Sequence, residues 1–421
     1  MLEKIRKING KKLTFAILYV SLIMEILISE LHISAIVRYC NDFFIIFIIF
    51  FMIKDKFKID KKFLIITGSI ALFFCASIIS ALINNVNIPL VIWAIRNNFR
   101  GIIFLLAIIM YWNVDDLEPF FDKLFKFQIL NLILAIYQFA ILHHSMDYVG
   151  GIFGYGNGSC VNIFNALLIS YYLNMYLNKK VKLSQLMFII ISSFIIASIA
   201  EEKMTYLFFG VIFIVSILIS KFSFRKLLAI TVGVIGLIFG LILIKYYYPD
   251  MYAILASPKK IIEYSQSTYD DGYRLPRIGA FKKISNIFFD NNTLKLLFGL
   301  GFGNCETSNF GIFQSDFYKS YGQYNYRWFT HQWIFLEEGY IGFGAFLVIF
   351  ITILICLIKN YDKHNKYMIT MGICNTLCCI ITIWYNATLK VDAAYLAYFS
   401  LGIGLISIKK KNRKGENDND T

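Results

Sequence analysis

Apolar runs separated by short polar groups fill most of the chain from Leu13 to Ile408. A helix that crosses a bilayer needs about 20 mostly apolar residues, because each backbone polar group in lipid must be satisfied within its own segment. The segments that fit are Leu13–Ser29, Ser34–Ile53, Phe63–Ile83, Phe99–Trp112, Ile129–Leu142, Val161–Leu177, Gln185–Ala200, Thr205–Ser220, Leu227–Tyr246, Ile334–Ile358, Tyr367–Thr388 and Ala393–Ile408. They predict an all-α polytopic membrane protein with about 12 transmembrane helices. One interruption is larger than the rest: residues 245–333 are rich in Tyr, Arg, Lys and Asp and end in Thr330-His331-Gln332-Trp333, just ahead of the next span.

The expected organisation is nine transmembrane helices in 1–244, an extracytoplasmic loop with short helices in 245–333, three transmembrane helices in 334–408, and a solvated tail in 409–421. Within the loop, Pro249, Pro258 and Pro276 punctuate short elements. Ile278, Phe281, Ile284 and Phe288 recur at helical spacing, which predicts a helix lying on the membrane surface. Phe120, Phe121, Leu124 and Phe125 predict a short interfacial helix before the fifth span.

Composition strengthens the membrane assignment. Of 421 residues 58% are hydrophobic and 16% charged, against about 25% charged in a soluble domain. A net charge of +14 would suggest nucleic acid, but the cations recur in small groups between apolar runs and no nucleic-acid partner is expected. Lys4 to Lys12, Lys54 to Lys62, Lys123, Lys126, Lys179 to Lys182, Lys221 to Lys226, Lys359 to Lys366 and Lys409 to Lys414 alternate with short loops that hold only Arg38, Arg96, Arg100, Lys203 and Lys390. Lys and Arg concentrate in short cytoplasmic loops, so both termini are expected in the cytoplasm and the long loop outside. The first span follows a basic start and lacks a small-residue cleavage site, as expected of an uncleaved anchor. The eight Cys mostly fall in or beside spans, with neither disulfide-framework nor metal-ligand spacing; small packing residues are expected, with no metal and no cofactor.

Ionisable residues at the edges of membrane spans are costly and therefore candidates for function. Four groups qualify: Arg96 with Arg100, Glu201-Glu202-Lys203, Arg274 with Arg277, and His331 with Glu337-Glu338. All four belong to the outward side, where the spans would gather them around one cavity. Clustered Arg and Lys suit an anion such as a diphosphate, Arg as a planar fork and Lys as a point charge. Local alternatives stand beside this: Arg96 and Arg100 snorkelling to the interface, and Lys203 paired with a neighbouring Glu. His331 has the side chain suited to a general base at neutral pH. At 100° per residue Glu338 comes within about 20° of its face, placed to orient the imidazole, whereas Glu337 points away. Tyr318, Tyr321, Tyr324, Tyr326, Trp328 and Trp333 fit either an aromatic belt or sugar-stacking surfaces. Gly299-Leu300-Gly301-Phe302-Gly303 has neither the strand nor the Lys-Ser/Thr of a nucleotide loop and predicts a tight turn.

The order of these motifs resembles the O-antigen polymerase (Wzy) and O-antigen ligase superfamily of bacterial membrane glycosyltransferases. Gly151-Ile152-Phe153-Gly154-Tyr155-Gly156-Asn157, Ala200-Glu201-Glu202-Lys203-Met204, Tyr273-Arg274, Leu297 through Gly303, and His331-Gln332 followed by Glu337-Glu338-Gly339-Tyr340-Ile341-Gly342 are similar to successive motifs of that superfamily across about residues 60 to 360. Two departures are a shorter interval from His331 to Gly339 and Gln332 in place of Asn.

The resemblance implies an inverting, metal-independent glycosyltransferase that polymerises repeat units from a polyprenyl-diphosphate-linked oligosaccharide for capsule, exopolysaccharide or O-antigen. It implies His331 as catalytic base and Arg274 and Lys203 as the cations that hold the diphosphate; Glu338 joins His331 as a catalytic candidate on helical phase alone. Arg274, Lys203, Arg277, Arg100, Glu202 and Glu337 are candidates for substrate binding. Membrane lipid, a flippase and a chain-length regulator would be the partners. A ligase that transfers polymer to another acceptor, or a flippase, are the competing expectations; a flippase would be expected to show two related halves with charges through their depth.

Overall fold

The computed structural model describes residues 9–56, 60–267, 274–361 and 365–409. The tail beyond Lys409, Asp270-Asp271-Gly272 and Tyr273 lie outside the described residues. Among the described residues seventeen α-helices follow one another and there is no strand. They are α1 (Gly10–Ser29), α2 (Cys40–Lys54), α3 (Leu64–Ile83), α4 (Ile88–Tyr111), α5 (Leu117–Ala140), α6 (Gly158–Leu177), α7 (Leu183–Ile199), α8 (Lys203–Ile219), α9 (Phe224–Tyr247), α10 (Pro249–Leu255), α11 (Pro258–Gln266), α12 (Ala280–Phe288), α13 (Thr293–Phe298), α14 (Asp316–Tyr321), α15 (Thr330–Lys359), α16 (Lys366–Tyr385) and α17 (Ala394–Ile408).

Among the described residues, eight helical segments are long and apolar enough to cross a membrane, and α7, α8 and α17 are shorter apolar helices. That is the make-up of a multi-pass membrane protein. α6 and α17 bury nearly every side chain and form the centre. A helix apolar on all sides is stable only when surrounded. α17 packs on α4 and α16, and α6 on α7, α8 and α16. α2 and α9 lie outside, with Phe43, Ile46, Phe47, Phe50, Ile235, Ile238 and Ile242 exposed, an apolar surface suited to lipid.

The two ends of the bundle differ in chemistry. At one, Lys11 pairs with Asp116 at 2.7 Å, and Lys62 and Lys409 donate to the carbonyls of Ile408 and Met110 near helix C-termini. Cations there satisfy carbonyls that have no intrahelical partner. At the other end lie Glu25, Arg38, Asp42, Arg96, Arg100, Glu202, Lys203, Glu306, Glu337, Lys390 and Asp392, joined by the contacts described below.

Two expectations need correction. No separate interfacial helix precedes the fifth span: α5 is continuous from Leu117, and Phe120, Phe121 and Leu124 are buried. Phe120 meets Trp112 and Phe399 edge-on, and Phe121 stacks on Tyr171 at 3.6 Å, so packing inside the bundle replaces contact with lipid. The amphipathic α12 turns its apolar face onto α15. Phe281 stacks on Phe335 at 4.0 Å, and Ile284 and Phe288 join a small core with Cys305, Tyr326, Trp333 and Leu336.

Candidate functional site

α15 is the element around which the site is built, and it is broken at Gly339 (φ +63°, ψ −158°). A break frees backbone groups that must find partners within the protein. The glycine-rich turn supplies them. Leu300 N donates to Leu336 O (2.9 Å) and Gly301 N to Glu337 O (3.0 Å). Ser80 of α3 shares its one hydroxyl hydrogen between Phe298 O (2.6 Å) and Glu337 O (2.9 Å) and accepts from Phe302 N (3.2 Å). The turn expected at 299–303 is thus a cap for the broken helix, and it leaves Glu337 and Glu338 in the break.

These two carboxylates have different surroundings. Glu338 accepts from Ser77 Oγ at 2.6 Å, and a Cβ on Gly342 would come within 2.7 Å of its Oε2. It therefore sits at the start of the second arm of α15, where the helix dipole favours an anion. It makes no hydrogen bond to His331, so the imidazole-orienting contact expected from helical phase is absent; the two lie two turns apart, about 10 Å along the axis, and each is held by other partners, Glu338 by Ser77 and His331 by the carbonyls of Ile383 and Arg277. Glu337 accepts from Cys305 N at 3.1 Å and faces Lys390 Nζ at 3.4 Å.

Lys390 lies in the turn between α16 and α17. Its ammonium is held between Glu337 and Glu306 (3.5 Å) and lies 3.8 Å from the centroid of the Trp333 ring. All three charged side chains are essentially excluded from solvent. Glu306 also accepts from Asn97 at 2.7 Å. Arg96, next to Asn97 on α4, pairs with Asp42 of α2 at 2.6 Å. One turn further, Arg100 pairs with Asp392 at 3.1 Å and donates to Lys390 O. Arg38 makes a two-pronged pair with Glu25 of α1. Arg100 is only 4% exposed, so it is anchored inside the bundle rather than snorkelling.

A cavity of about 310 Å³ opens among these residues. Asn97, Arg100, Trp333 and Lys390 form its buried floor; Tyr39, Trp93, Arg96, Tyr318 and Arg327 stand at its half-exposed rim.

A second group of cations lies across the first turn of α15. Lys203 pairs with Glu201 at 2.9 Å, and its ammonium lies 5.3 Å from the Tyr264 ring centroid. The Arg277 guanidinium lies 4.8 Å from the same ring and near Phe329 and Tyr385. His331 is 1% exposed, with Nδ1 3.1 Å from Ile383 O and Nε2 3.1 Å from Arg277 O. Gln332 donates to Pro276 O at 2.9 Å. Together, His331 and Gln332 hold the 275–277 strap against α15. Arg274 stacks over Trp328 at 4.8 Å. Glu202 accepts from Asn162; burial pushes its carboxyl up to about 7, against the pull of that hydrogen bond.

The four groups expected around one cavity are therefore divided. Arg96, Arg100 and Glu337 belong to the Lys390 network; Lys203 and Arg277 gather at Tyr264, with His331 against the Arg277 carbonyl; Glu338 belongs to neither. Asp42, Glu306, Arg327, Asp392 and Tyr264 were not anticipated. Trp93, Arg96, Asn97 and Arg100 recur at i, i+3, i+4 and i+7, the one pattern that marks the α4 face in advance.

Removing Lys390 tests the buried network. Two carboxylates left buried without their cation cost about 3–5 kcal/mol, so Lys390→Met should markedly lower the thermal unfolding midpoint in detergent. Adding Glu306→Gln and Glu337→Gln to that variant should restore part of the loss. An unchanged midpoint in Lys390→Met would mean that the three charges do not depend on one another.

The fold and these two polar clusters define a helical, multi-pass membrane protein with dense, mostly paired charge at one end. Comparison with protein-family models and with curated proteins finds no match to this sequence.

Proposed function

We propose that the protein is a polymerase of lipid-linked oligosaccharide repeat units, an inverting glycosyltransferase that acts on the outer leaflet of the cell membrane. The observation that carries this reading is the convergence of Lys203 and Arg277 on Tyr264, with His331 against the Arg277 carbonyl. Two cations beside an imidazole are the parts needed to hold a diphosphate leaving group and take a proton from an incoming hydroxyl. The motif resemblance points to Lys203 and His331 among these and adds Arg274. On this reading twelve helices cross the membrane, both termini are cytoplasmic, and the 245–333 segment faces outward, as the Lys and Arg distribution favours.

In the proposed step the acceptor hydroxyl oxygen attacks the anomeric carbon as the bond to the polyprenyl diphosphate breaks, with inversion. The proton passes to His331, and Lys203 and Arg277 hold the departing diphosphate. An imidazole with a single N–H donates to only one of its two carbonyl neighbours, so its other nitrogen presents a lone pair to an oxygen. Displacing the 275–277 strap would exchange that poor contact for a substrate hydroxyl. Buried charge gathered at one end of the bundle favours chemistry at a surface over transport, which would need polar groups through the membrane's depth.

Purified protein supplied with a polyprenyl-diphosphate-linked repeat unit should form a ladder of longer products, undiminished by a chelator. No ladder with a substrate elongated by a known polymerase preparation would overturn the assignment; a ladder that collapses on chelation would overturn the metal-independent step.

A further inference from the structure

We infer that the cavity over Arg96, Arg100 and Arg327 is a second binding site, separate from the His331 group, for a saccharide that carries an oxyanion. Its proposed role, holding the acceptor chain while the Lys203 and Arg277 group holds the donor, rests on the polymerase reading. The site itself does not.

The volume, about 310 Å³, falls at the lower end of the range for small-ligand pockets, roughly 300–1,000 Å³. Its wall provides unused hydrogen-bond donors. Arg100 is nine-tenths buried and spends its Nη groups on Asp392 and Lys390 O, while its Nε has no partner; Arg96 Nε is also buried without one. Buried donors are nearly always paired, and a small outward turn of either guanidinium would offer its Nε to an anion oxygen in the cavity. Arg327 adds a cation with no carboxylate within 4 Å among the described residues. It lies 4.4 Å from the Tyr318 ring centroid and donates to the Tyr318 hydroxyl. A planar guanidinium fork matches phosphate or carboxylate oxygens.

Flat rings stand beside these donors. Trp93 is fixed by a parallel stack on Phe313 at 4.9 Å and by its Nε1 bond to Thr307 O, and Tyr39 lies beside it, 6.1 Å between ring centroids, with the Arg96 guanidinium against both rings. Aromatic faces accept the apolar face of a sugar ring. Guanidinium groups would repel a metal ion, and a lipid tail would leave the polar floor unpaired. Trp333 lines this cavity whereas His331 belongs to the other group. Residues two apart on a helix point about 200° away from each other, so the first turn of α15 separates the two sites while keeping them within reach of one oligosaccharide.

The test is a titration of full-length protein in lipid nanodiscs, followed by tryptophan fluorescence, which Trp93 and Trp333 report directly. Glucose 1-phosphate and glucuronate serve as probes for the two sources of an oxyanion, with glucose and inorganic phosphate as comparisons. Saturable binding of at least one anionic sugar is expected, at least 10-fold tighter than glucose or phosphate alone. Arg327→Gln, which breaks no ion pair, should weaken it at least 10-fold, and Trp93→Phe should reduce the signal. No saturable binding, equal affinity for inorganic phosphate, or undiminished affinity in Arg327→Gln would overturn the site.

In the polymerisation assay Arg327→Gln should raise the KM for acceptor and leave that for donor unchanged. If anionic sugars bind but no polymer forms, the site stands and the polymerase reading falls. If polymer forms and Arg327→Gln changes neither binding nor acceptor KM, the second site falls alone.

Discussion

His331→Ala slows chain growth at least about 100-fold, the range expected when a general base is lost, while the protein stays in the membrane at near-normal level. The side chain is closed between the carbonyls of Ile383 and Arg277, so truncation also loosens the 275–277 strap, and Ala alone does not separate chemistry from positioning. His331→Gln does. Its amide can donate to one of the same carbonyls but cannot take up a proton. Equal loss of polymer in Gln and Ala variants, with unaltered thermal stability in Gln, is the result expected of a base. Full chain length in the Gln variant would reduce His331 to a clasp for the strap and leave the proposed step without an acceptor for its proton.

Much of the scaffold was legible in the sequence because apolar run length reports directly on helices that cross lipid. The edges were less legible where charge sits inside a helix. α4 starts at Ile88 rather than near Phe99, because Arg96 and Arg100 make that stretch look polar. Their counter-charges, Asp42 of α2 and Asp392 of the turn before α17, come from far away in the chain, and run length cannot see them. Lys390 and Glu306 were hidden for the same reason: each is an ordinary loop residue until the fold closes on Glu337. The phase argument that joined His331 to Glu338 failed because direction around a helix leaves out the two turns, about 10 Å, that separate them along its axis, and other partners take both side chains.

That break is the most sensitive point of the fold, and Gly339→Ala should cost about 3 kcal/mol or more. Two effects add. The residue sits at φ +63°, which an L side chain adopts at a cost of about 1–3 kcal/mol. A Cβ there would also lie 2.6 Å from the carbonyl oxygens of Leu296 and Leu297, and relieving overpacking of this kind costs a further 1–3 kcal/mol or so. The neighbour is backbone and cannot rotate away, so α13 must move, taking the caps on Leu336 O and Glu337 O with it. Gly344→Ala is the matched control. It lies on the same helix, its Cβ would meet nothing within 4 Å, and it should be neutral or slightly stabilising through helix propensity. Size-exclusion profiles and thermal midpoints of the two variants in one detergent decide it. A Gly339→Ala protein as monodisperse and heat-stable as Gly344→Ala would mean that α15 can run straight, and the positions assigned to Glu337 and the glycine-rich cap would fall with the break.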